Sequence, residues 1–384
     1  MREKIWGLDE GSKIEDILFY VMFTVLYLRQ FYRTTMFTYT LDIKYLDLLG
    51  YAAAAFLLPL AGINAIRFWR NNKRLAVILI AFLVCGVGSA VIGKNRTLII
   101  LCVLIVSSVG RKFNVVAWIA LIAGAIMMVI AYFASIGGYI RYFNSYAYDG
   151  RYLHAFGILY HTDFAAHVLY LSMIYVWIRR DKMHFWEYLI LWCVAILTWR
   201  YSGARMNAFC LSLFLLLYCV VNIFKNRFYS FPRCIASCHL ICTLLTFLLV
   251  LVRDKLSSFP TLYHRLQLSD LGIKTYGVSL FGQYIEEMGA GGIADFSKGY
   301  FFLDIAYVRI LLMYGVAFLV VFLLWMTLIT YHAALDKDVV LCLILCMIAF
   351  VSIIEHHSID YCYNVFFLAP AFMMSAKKES TQSM

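Results

Sequence analysis

Two arginines stand between long apolar runs in the segment WRYSGARMNAF, which extends from Trp199 to Phe209. Arg200 and Arg205 flank Gly203, a residue type that permits a tight turn. A guanidinium can hold a phosphate through two parallel hydrogen bonds, so this pattern indicates an anion-binding turn. The alternative is snorkelling, in which each guanidinium reaches up to the lipid phosphates. Arg205 is the stronger candidate for a functional role, and snorkelling is a sufficient account of Arg200.

A second group of ionisable residues occurs in the segment YDGRYLHAFGILYHTDFAAH. It contains Arg151, His154, His161, Asp163 and His167. In a helix, His154 and His161 share one face, and Asp163 and His167 share another. Ionisable residues this deep in an apolar run favour a functional role. A buried Asp–His hydrogen bond that locks helix packing is the alternative. Gly157 suggests a break, so an interrupted or re-entrant helix fits the segment as well.

The stretch from residue 253 to residue 299 is too long for a simple connector. Its first part places His264 and Arg265 among regularly spaced leucines, which predicts a short amphipathic helix on the outer membrane surface. Its later part, EEMGAGGIADFSKG, is rich in glycine and suits a mobile lid over a site. A solvated loop without chemistry is the alternative.

Carboxylates follow in two further segments. The next apolar run opens FFLDIAYVRILLMYG and places Asp304 and Arg309 in a predicted helix, either as a structural ion pair or in a catalytic role. The later segment EHHSIDYCYN begins with Glu355. Its HH and HxxxD patterns are typical of metal ligands, but no second convergent pair such as HExxH accompanies them. We therefore expect no metal. Without a nucleotide-binding loop or a haem motif, we also expect no cofactor and no soluble nucleotide donor.

The elements that position these residues must lie in lipid. Of the 384 residues, 64% are hydrophobic and only 14% are charged, too few to cover the surface of a water-soluble protein of this length. Continuous apolar runs exclude a transmembrane barrel, so the fold class is an all-α polytopic bundle. The net charge of +11 does not indicate nucleic acid, because the basic residues form short clusters between apolar runs. We expect one integral membrane domain, residues 1–384, with the loop 253–299 inside it.

The apolar runs predict about twelve spans with both termini in the cytoplasm. This orientation follows the positive-inside rule, because it places clusters such as RFWRNNKR and RRDK on the cytoplasmic side. It also places the segments richest in His, Arg, Tyr and carboxylates on the outer face. The predicted spans are 17–31, 48–66, 75–92, 97–109, 115–135, 154–177, 185–200, 206–223, 234–252, 300–329, 338–354 and 364–375.

In their order along the chain and in their residues, these segments resemble those of the bacterial O-antigen and capsular polysaccharide polymerases (Wzy-type), which are related to the O-antigen ligases. GILYHTDFAAHVLYL is similar to the family's His-Pro-Asn segment that opens a span, and RYSGARMNAFCLSLF to its Ser-Gly-Ser-Arg-Thr motif. YGVSLFGQYI, DIAYVRILLMYGV and EHHSIDYCYN follow in the family's order. The chain departs from the usual residues at Thr162, Asp163, Met206 and Ile305. The resemblance covers about residues 140–375.

The resemblance implies a glycosyltransferase-C-like bundle in the bacterial plasma (inner) membrane, with its active face outside the cytoplasm. Such enzymes join undecaprenyl-pyrophosphate-linked oligosaccharides into O-antigen, capsule or exopolysaccharide, sometimes with a chain-length regulator protein. The lipid pyrophosphate needs cations, for which Arg151, Arg205 and Arg265 are the candidates. The attacking sugar hydroxyl needs a base. His161 and His264 are the candidate bases, with Asp304 or Glu355 orienting or replacing them.

Two other functions fit the same pattern. An O-antigen-ligase-type transferase would use the same kind of site. A lipid-linked oligosaccharide flippase or another transporter would place its binding residues near the midplane and show related halves. Neither transporter feature is evident in the sequence.

Outer tyrosines such as Tyr142, Tyr146 and Tyr148 are candidates for stacking on sugar rings.

Overall fold

A computed structural model describes residues 13–40, 42–95, 97–146, 150–180, 182–224, 231–291, 297 and 299–369. These residues are mostly helical. The α-helices in the first part of the chain are α1 (Lys13–Arg33), α2 (Ile43–Asn71), α3 (Lys73–Val91), α4 (Thr97–Ser108), α5 (Phe113–Ile136), α6 (His161–Arg179), α7 (Phe185–Ser202) and α8 (Arg205–Ile223). They continue with α9 (Pro232–Ala236), α10 (Cys238–Leu251), α11 (Pro260–Tyr276), α12 (Ala306–Arg309), α13 (Gly315–Leu335) and α14 (Val339–Val351). A hairpin of two short antiparallel strands, β1 (Asn144–Tyr146) and β2 (Tyr152–His154), precedes α6.

Four of the described helical segments are long and apolar enough to cross a bilayer: α2, α3, α5 and the continuous segment Ala306–Leu335. Shorter apolar helices include α4, α10, α14 and most of α8. The outward face of α5 indicates the surroundings of these helices. It carries four apolar side chains that are each more than half exposed: Ile122, Ile126, Val129 and Phe133. Side chains of this kind in a continuous stripe indicate lipid as the solvent. A mostly helical fold with helices long and apolar enough to span a membrane is confirmed, whereas twelve spans and their orientation stay predictions.

Four predicted spans differ from the helices observed. The span 234–252 is divided by a turn at Ser237 into α9 and α10. The span 154–177 was predicted to begin at His154, but this residue ends strand β2 and α6 begins at His161. The span 300–329 begins at Ala306, because the preceding residues are extended. The span 364–375 contains the 3₁₀ turn Phe366–Leu368, and residues 370–384 lie outside the described part.

Gly157 interrupts the chain just before α6, as its residue type suggested. Its φ is +83°, and a Cβ there would lie 2.3 Å from the carbonyl oxygen of Ala131. The backbone on both sides is tied to the end of α1: Met36 N–H donates to the Gly157 carbonyl at 2.9 Å, and Leu159 N–H donates to the Thr34 carbonyl at 2.9 Å. The first turn of α6 is thereby fixed against α1.

Replacement of Gly157 by alanine is expected to destabilise the protein by about 2 kcal/mol or more, because a left-handed backbone and a collision with backbone coincide. Thermal unfolding of the detergent-solubilised protein measures this. Gly62→Ala is the matched control, since a Cβ at this helical glycine meets nothing within 4 Å. Equal melting temperatures for the two variants would contradict the expectation.

The segment Ala306–Leu335 is not a uniform α-helix. Residues Ile310–Tyr314 form a π-helical turn, and Gly315 after it has a φ of +90°. The backbone N–H groups of the two following residues donate instead to the carbonyls of Ser279 and Leu280, each at 3.1 Å. The loop that precedes this segment is therefore joined to it backbone to backbone.

Ion pairs at one end of the bundle involve residues predicted to be cytoplasmic. Arg111 pairs with Glu15 at 2.9 Å and with Asp16 at 2.6 Å, and Arg67 also approaches Glu15 at 3.4 Å. Arg180 lies 3.8 Å from Asp338 at this same end. The candidate functional residues lie at the other end, where α6 and α8 begin.

Candidate functional site

The turn between α7 and α8 and the β hairpin meet at this second end of the bundle. Gly203 has a φ of +67°, which agrees with the tight turn predicted at this glycine. A Cβ at this position would lie 2.5 Å from the Leu153 side chain of β2. Arg205 begins α8 and is exposed, and Arg151 precedes β2 and is half-buried. The Arg200 guanidinium lies 5.8 Å from the ring centroid of Tyr201. The turn before Arg205 therefore contacts strand β2, which Arg151 immediately precedes in the chain.

The third candidate arginine, Arg265, lies at the centre of a buried ionic cluster. Its Nη1 donates to the Ile354 carbonyl at 2.7 Å and to Glu355 Oε1 at 3.2 Å. Its Nε lies 3.5 Å from Asp304 Oδ2. Helix α11 positions this guanidinium by burying Leu266 against the apolar residues on either side of Asp304. One arginine therefore holds two of the predicted catalytic carboxyl groups together.

Burial changes the acidity of these two carboxyl groups, which lie outside the apolar helices. Desolvation raises the pKa of Glu355, and the neighbouring Arg265 opposes this effect. Desolvation likewise raises the pKa of Asp304, again opposed by Arg265. The side chain of Asp304 is 18% exposed and that of Glu355 is 5% exposed. Asp304 is thus the more accessible of two groups with a raised affinity for protons.

On the far side of Glu355 the cluster continues to α6. His357 Nε2 lies 3.5 Å from Glu355 Oε2 and 3.6 Å from Asp163 Oδ1. The His357 ring packs against Tyr363, with 4.2 Å between the ring centroids. Burial, with the charges of Arg309 and Arg265, lowers the pKa of His357 to about 3, so the imidazole is neutral.

Asp163 and His167 do not form the hydrogen bond considered from the sequence. His167 Nε2 lies 2.9 Å from Thr34 Oγ1, and its ring stacks between Phe31 and Tyr363. Asp163 faces His357 instead. His167 therefore packs the helices together, while Asp163 belongs to the cluster.

Asp304 and Arg309 also find separate partners. Arg309 pairs with Glu287 from the outer loop, and its Nη1 donates to the Leu303 carbonyl at 3.1 Å. Glu287 Oε1 accepts a hydrogen bond from Leu303 N–H at 2.9 Å. These contacts hold the extended residues before α12, which include Asp304.

Glu287→Ala is expected to destabilise the protein by about 3 kcal/mol, because the Arg309 guanidinium, which is largely shielded from solvent, is left without its carboxylate. We also expect faster proteolysis next to residue 287, since the contacts of its carboxylate with Leu303 and Arg309 are lost. Thermal unfolding and limited proteolysis measure the two effects. Glu286→Ala, at an exposed neighbouring position, should change the free energy of unfolding by less than about 0.5 kcal/mol; similar results for the two variants would contradict this account.

The two candidate histidine bases differ in their surroundings. His161 is the first residue of α6 and is buried. The adjacent Thr162 carbonyl accepts a hydrogen bond from Asn207 Nδ2 of α8 at 3.3 Å. His264 is exposed on α11, and its ring lies 5.8 Å from that of Tyr300 in a stacked arrangement.

Among the outer tyrosines, Tyr142 Oη lies 3.0 Å from His154 Nδ1, and Tyr146 is 70% exposed. Tyr148 lies outside the described residues, as do residues 292–296 and 298 of the glycine-rich segment proposed as a lid. The amphipathic helix predicted in the first part of the loop is α11.

Sequence reasoning did not assign His357 or Glu287 to the site. His357 was noticed as part of an HH pair, but its partner Asp163 is distant in the sequence. Glu287 stands in a polar, glycine-rich segment typical of a solvated loop. Comparisons with protein-family models, with curated proteins and with solved structures found no match.

Proposed function

We propose that this chain is a membrane-embedded glycosyltransferase that polymerises lipid-pyrophosphate-linked oligosaccharide repeat units. The observation that supports this most is the cluster of Arg265, Asp304 and Glu355, held together at one end of an apolar helical bundle. A carboxyl group with a raised pKa beside a fixed cation is suited to accept a proton from a sugar hydroxyl.

The reaction forms one glycosidic bond and breaks the bond between a sugar and its lipid pyrophosphate. The hydroxyl of the incoming unit attacks the anomeric carbon of the growing chain, and the pyrophosphate leaves with the bonding electrons. Asp304 takes the hydroxyl proton, because it is the more exposed of the two carboxyl groups. Arg265 orients Asp304 rather than binding the pyrophosphate, since its charge is already matched by two carboxylates.

Arg151 and Arg205 bind the pyrophosphate in this proposal. Arg205 begins α8, which contacts the start of α6 through Asn207 and the Thr162 carbonyl, and Arg151 immediately precedes β2. Guanidinium groups stabilise the negative charge that develops on a leaving phosphate oxygen. The outer face of the bacterial plasma membrane is the location we propose. Both the distribution of basic residues along the chain and the resemblance to the polymerases favour it.

The decisive experiment incubates the purified protein, reconstituted in lipid, with undecaprenyl-pyrophosphate-linked repeat units of the source strain and resolves the products by size. A ladder of polymer lengths is the expected result. Transfer of a finished polymer to a different acceptor would replace the proposal with a ligase. Translocation of labelled substrate without any new glycosidic bond would replace it with a flippase. Full activity of Arg205→Ala would remove that residue from pyrophosphate binding.

A further inference from the structure

The buried imidazole of His357 lacks the hydrogen bonds that its position calls for. The residue is 1% exposed, yet neither ring nitrogen has a hydrogen-bond partner among the described residues. Buried polar atoms are nearly always paired, and an unpaired one costs about 1–3 kcal/mol. A partner that is not part of the protein chain would remove this cost.

The distances around His357 Nε2 match those between ligands of one metal ion. Its neighbours are Asp163 Oδ1 at 3.6 Å and Glu355 Oε2 at 3.5 Å, which are too far for hydrogen bonds. An ion with bonds of about 2.0–2.2 Å in tetrahedral geometry separates neighbouring ligand atoms by about 3.3–3.6 Å. The adjacent His356 completes a group in which Asp163, His356 and His357 each offer one ligand atom within 4.8 Å of the others.

The charge of the surroundings favours a divalent cation. Four carboxylates and two guanidinium groups lie together here: Asp163, Glu287, Asp304, Glu355, Arg265 and Arg309. Carboxyl groups therefore outnumber cations in this group. Their ionisation leaves negative charge, which is costly in a buried site and which a divalent ion would offset.

We propose that Asp163, His356 and His357 form a binding site for a divalent first-row transition-metal ion. Two imidazoles with a carboxylate suit zinc and its neighbours, whereas magnesium and calcium prefer oxygen ligands alone. The site joins the start of α6 to the segment after α14, so the ion also fastens two distant parts of the chain. Metal binding is independent of the polymerase activity proposed above and can be present without it.

The test uses the full-length protein purified with a streptavidin-binding tag, because a polyhistidine tag would bind metal itself. Elemental analysis counts the ions that copurify, and competition with a chromophoric chelator gives the Kd for Zn²⁺. We expect one ion per chain and a rise in melting temperature when Zn²⁺ is restored to chelator-treated protein. In His357→Ala the Kd should rise by at least about 100-fold, since loss of a second-shell partner alone costs about 10- to 100-fold.

His332→Gln is the matched control, because it removes an imidazole with an unpaired buried Nδ1 far from the cluster, near the end of α13. It should bind zinc as the unmodified chain does. If His357→Ala does not fold, Asp163→Asn keeps the shape of the side chain and should still weaken binding. Absence of stoichiometric binding of Zn²⁺, Co²⁺ and Mn²⁺ by the unmodified protein would overturn the proposal, as would unchanged affinity in Asp163→Asn.

Discussion

Asp304→Asn is expected to reduce polymerisation by about 10²- to 10⁴-fold while the protein still folds. Loss of a positioned general base has an effect of this size on the transfer step. The amide preserves the shape of the side chain and cannot accept the hydroxyl proton. Product ladders from reconstituted protein, measured over a time course, give the rate, and thermal unfolding gives the stability.

Asp270→Asn is the matched control for Asp304→Asn. Asp270 lies on α11, where Arg253 at 3.0 Å and Lys274 at 2.7 Å surround it, outside the Arg265 cluster. It should leave the rate of polymerisation nearly unchanged. A fully active Asp304→Asn together with an inactive Glu355→Gln would transfer the role of base to Glu355.

Arg265→Ala should destabilise the protein by about 3–5 kcal/mol and remove polymerisation. Asp304 and Glu355 then remain buried without the guanidinium that holds them, and an uncompensated buried charge costs about this much. Arg265→Lys should recover only part of the loss, because a single ammonium cannot reproduce the planar arrangement that reaches both carboxylates and the Ile354 carbonyl. Chemical or thermal unfolding in detergent measures the stability of each variant.

Two comparisons separate the charge of Arg265 from its packing. Arg253→Ala removes another arginine near α11, but Asp270 keeps Lys274 as a partner, so the loss should be within about 1 kcal/mol. The double variant Arg265→Met, Glu355→Gln should be more stable than Arg265→Ala, because only one unpaired carboxyl group then remains. Equal destabilisation by Arg253→Ala and Arg265→Ala would contradict a special role for Arg265.

The features predicted correctly from the sequence are local ones. Gly157 and Gly203 mark a break and a turn because a backbone with positive φ favours glycine wherever it occurs. Helix α11 was predicted from the periodicity of its leucines. The membrane class followed from composition, since no water-soluble surface could be built from so few charges.

The partners of the charged residues could not be predicted in the same way. Arg265 and Glu355 are 90 residues apart, and several segments offered equally suitable carboxylates. Asp304 is selected by the packing of α11 against the start of α12, and Glu355 by the contact of Arg265 with the segment after α14. The start of the segment after residue 300 was misplaced for a related reason. The Glu287 carboxylate accepts a hydrogen bond from the backbone N–H of Leu303. A contact with a residue from another part of the chain leaves no pattern in the local sequence.

The backbone junction between the outer loop and the π-helical turn has a consequence for the order in which this chain assembles in the membrane. The N–H groups of Val316 and Ala317 lack helical acceptors and depend on the carbonyls of Ser279 and Leu280. Before that contact forms, two peptide donors in an apolar segment face hydrocarbon or must remain at the water interface. Full insertion of Ala306–Leu335 is therefore coupled to docking of a loop translated earlier. Folding of this half of the protein in the membrane therefore depends on a tertiary contact with the loop as well as on insertion of the helix.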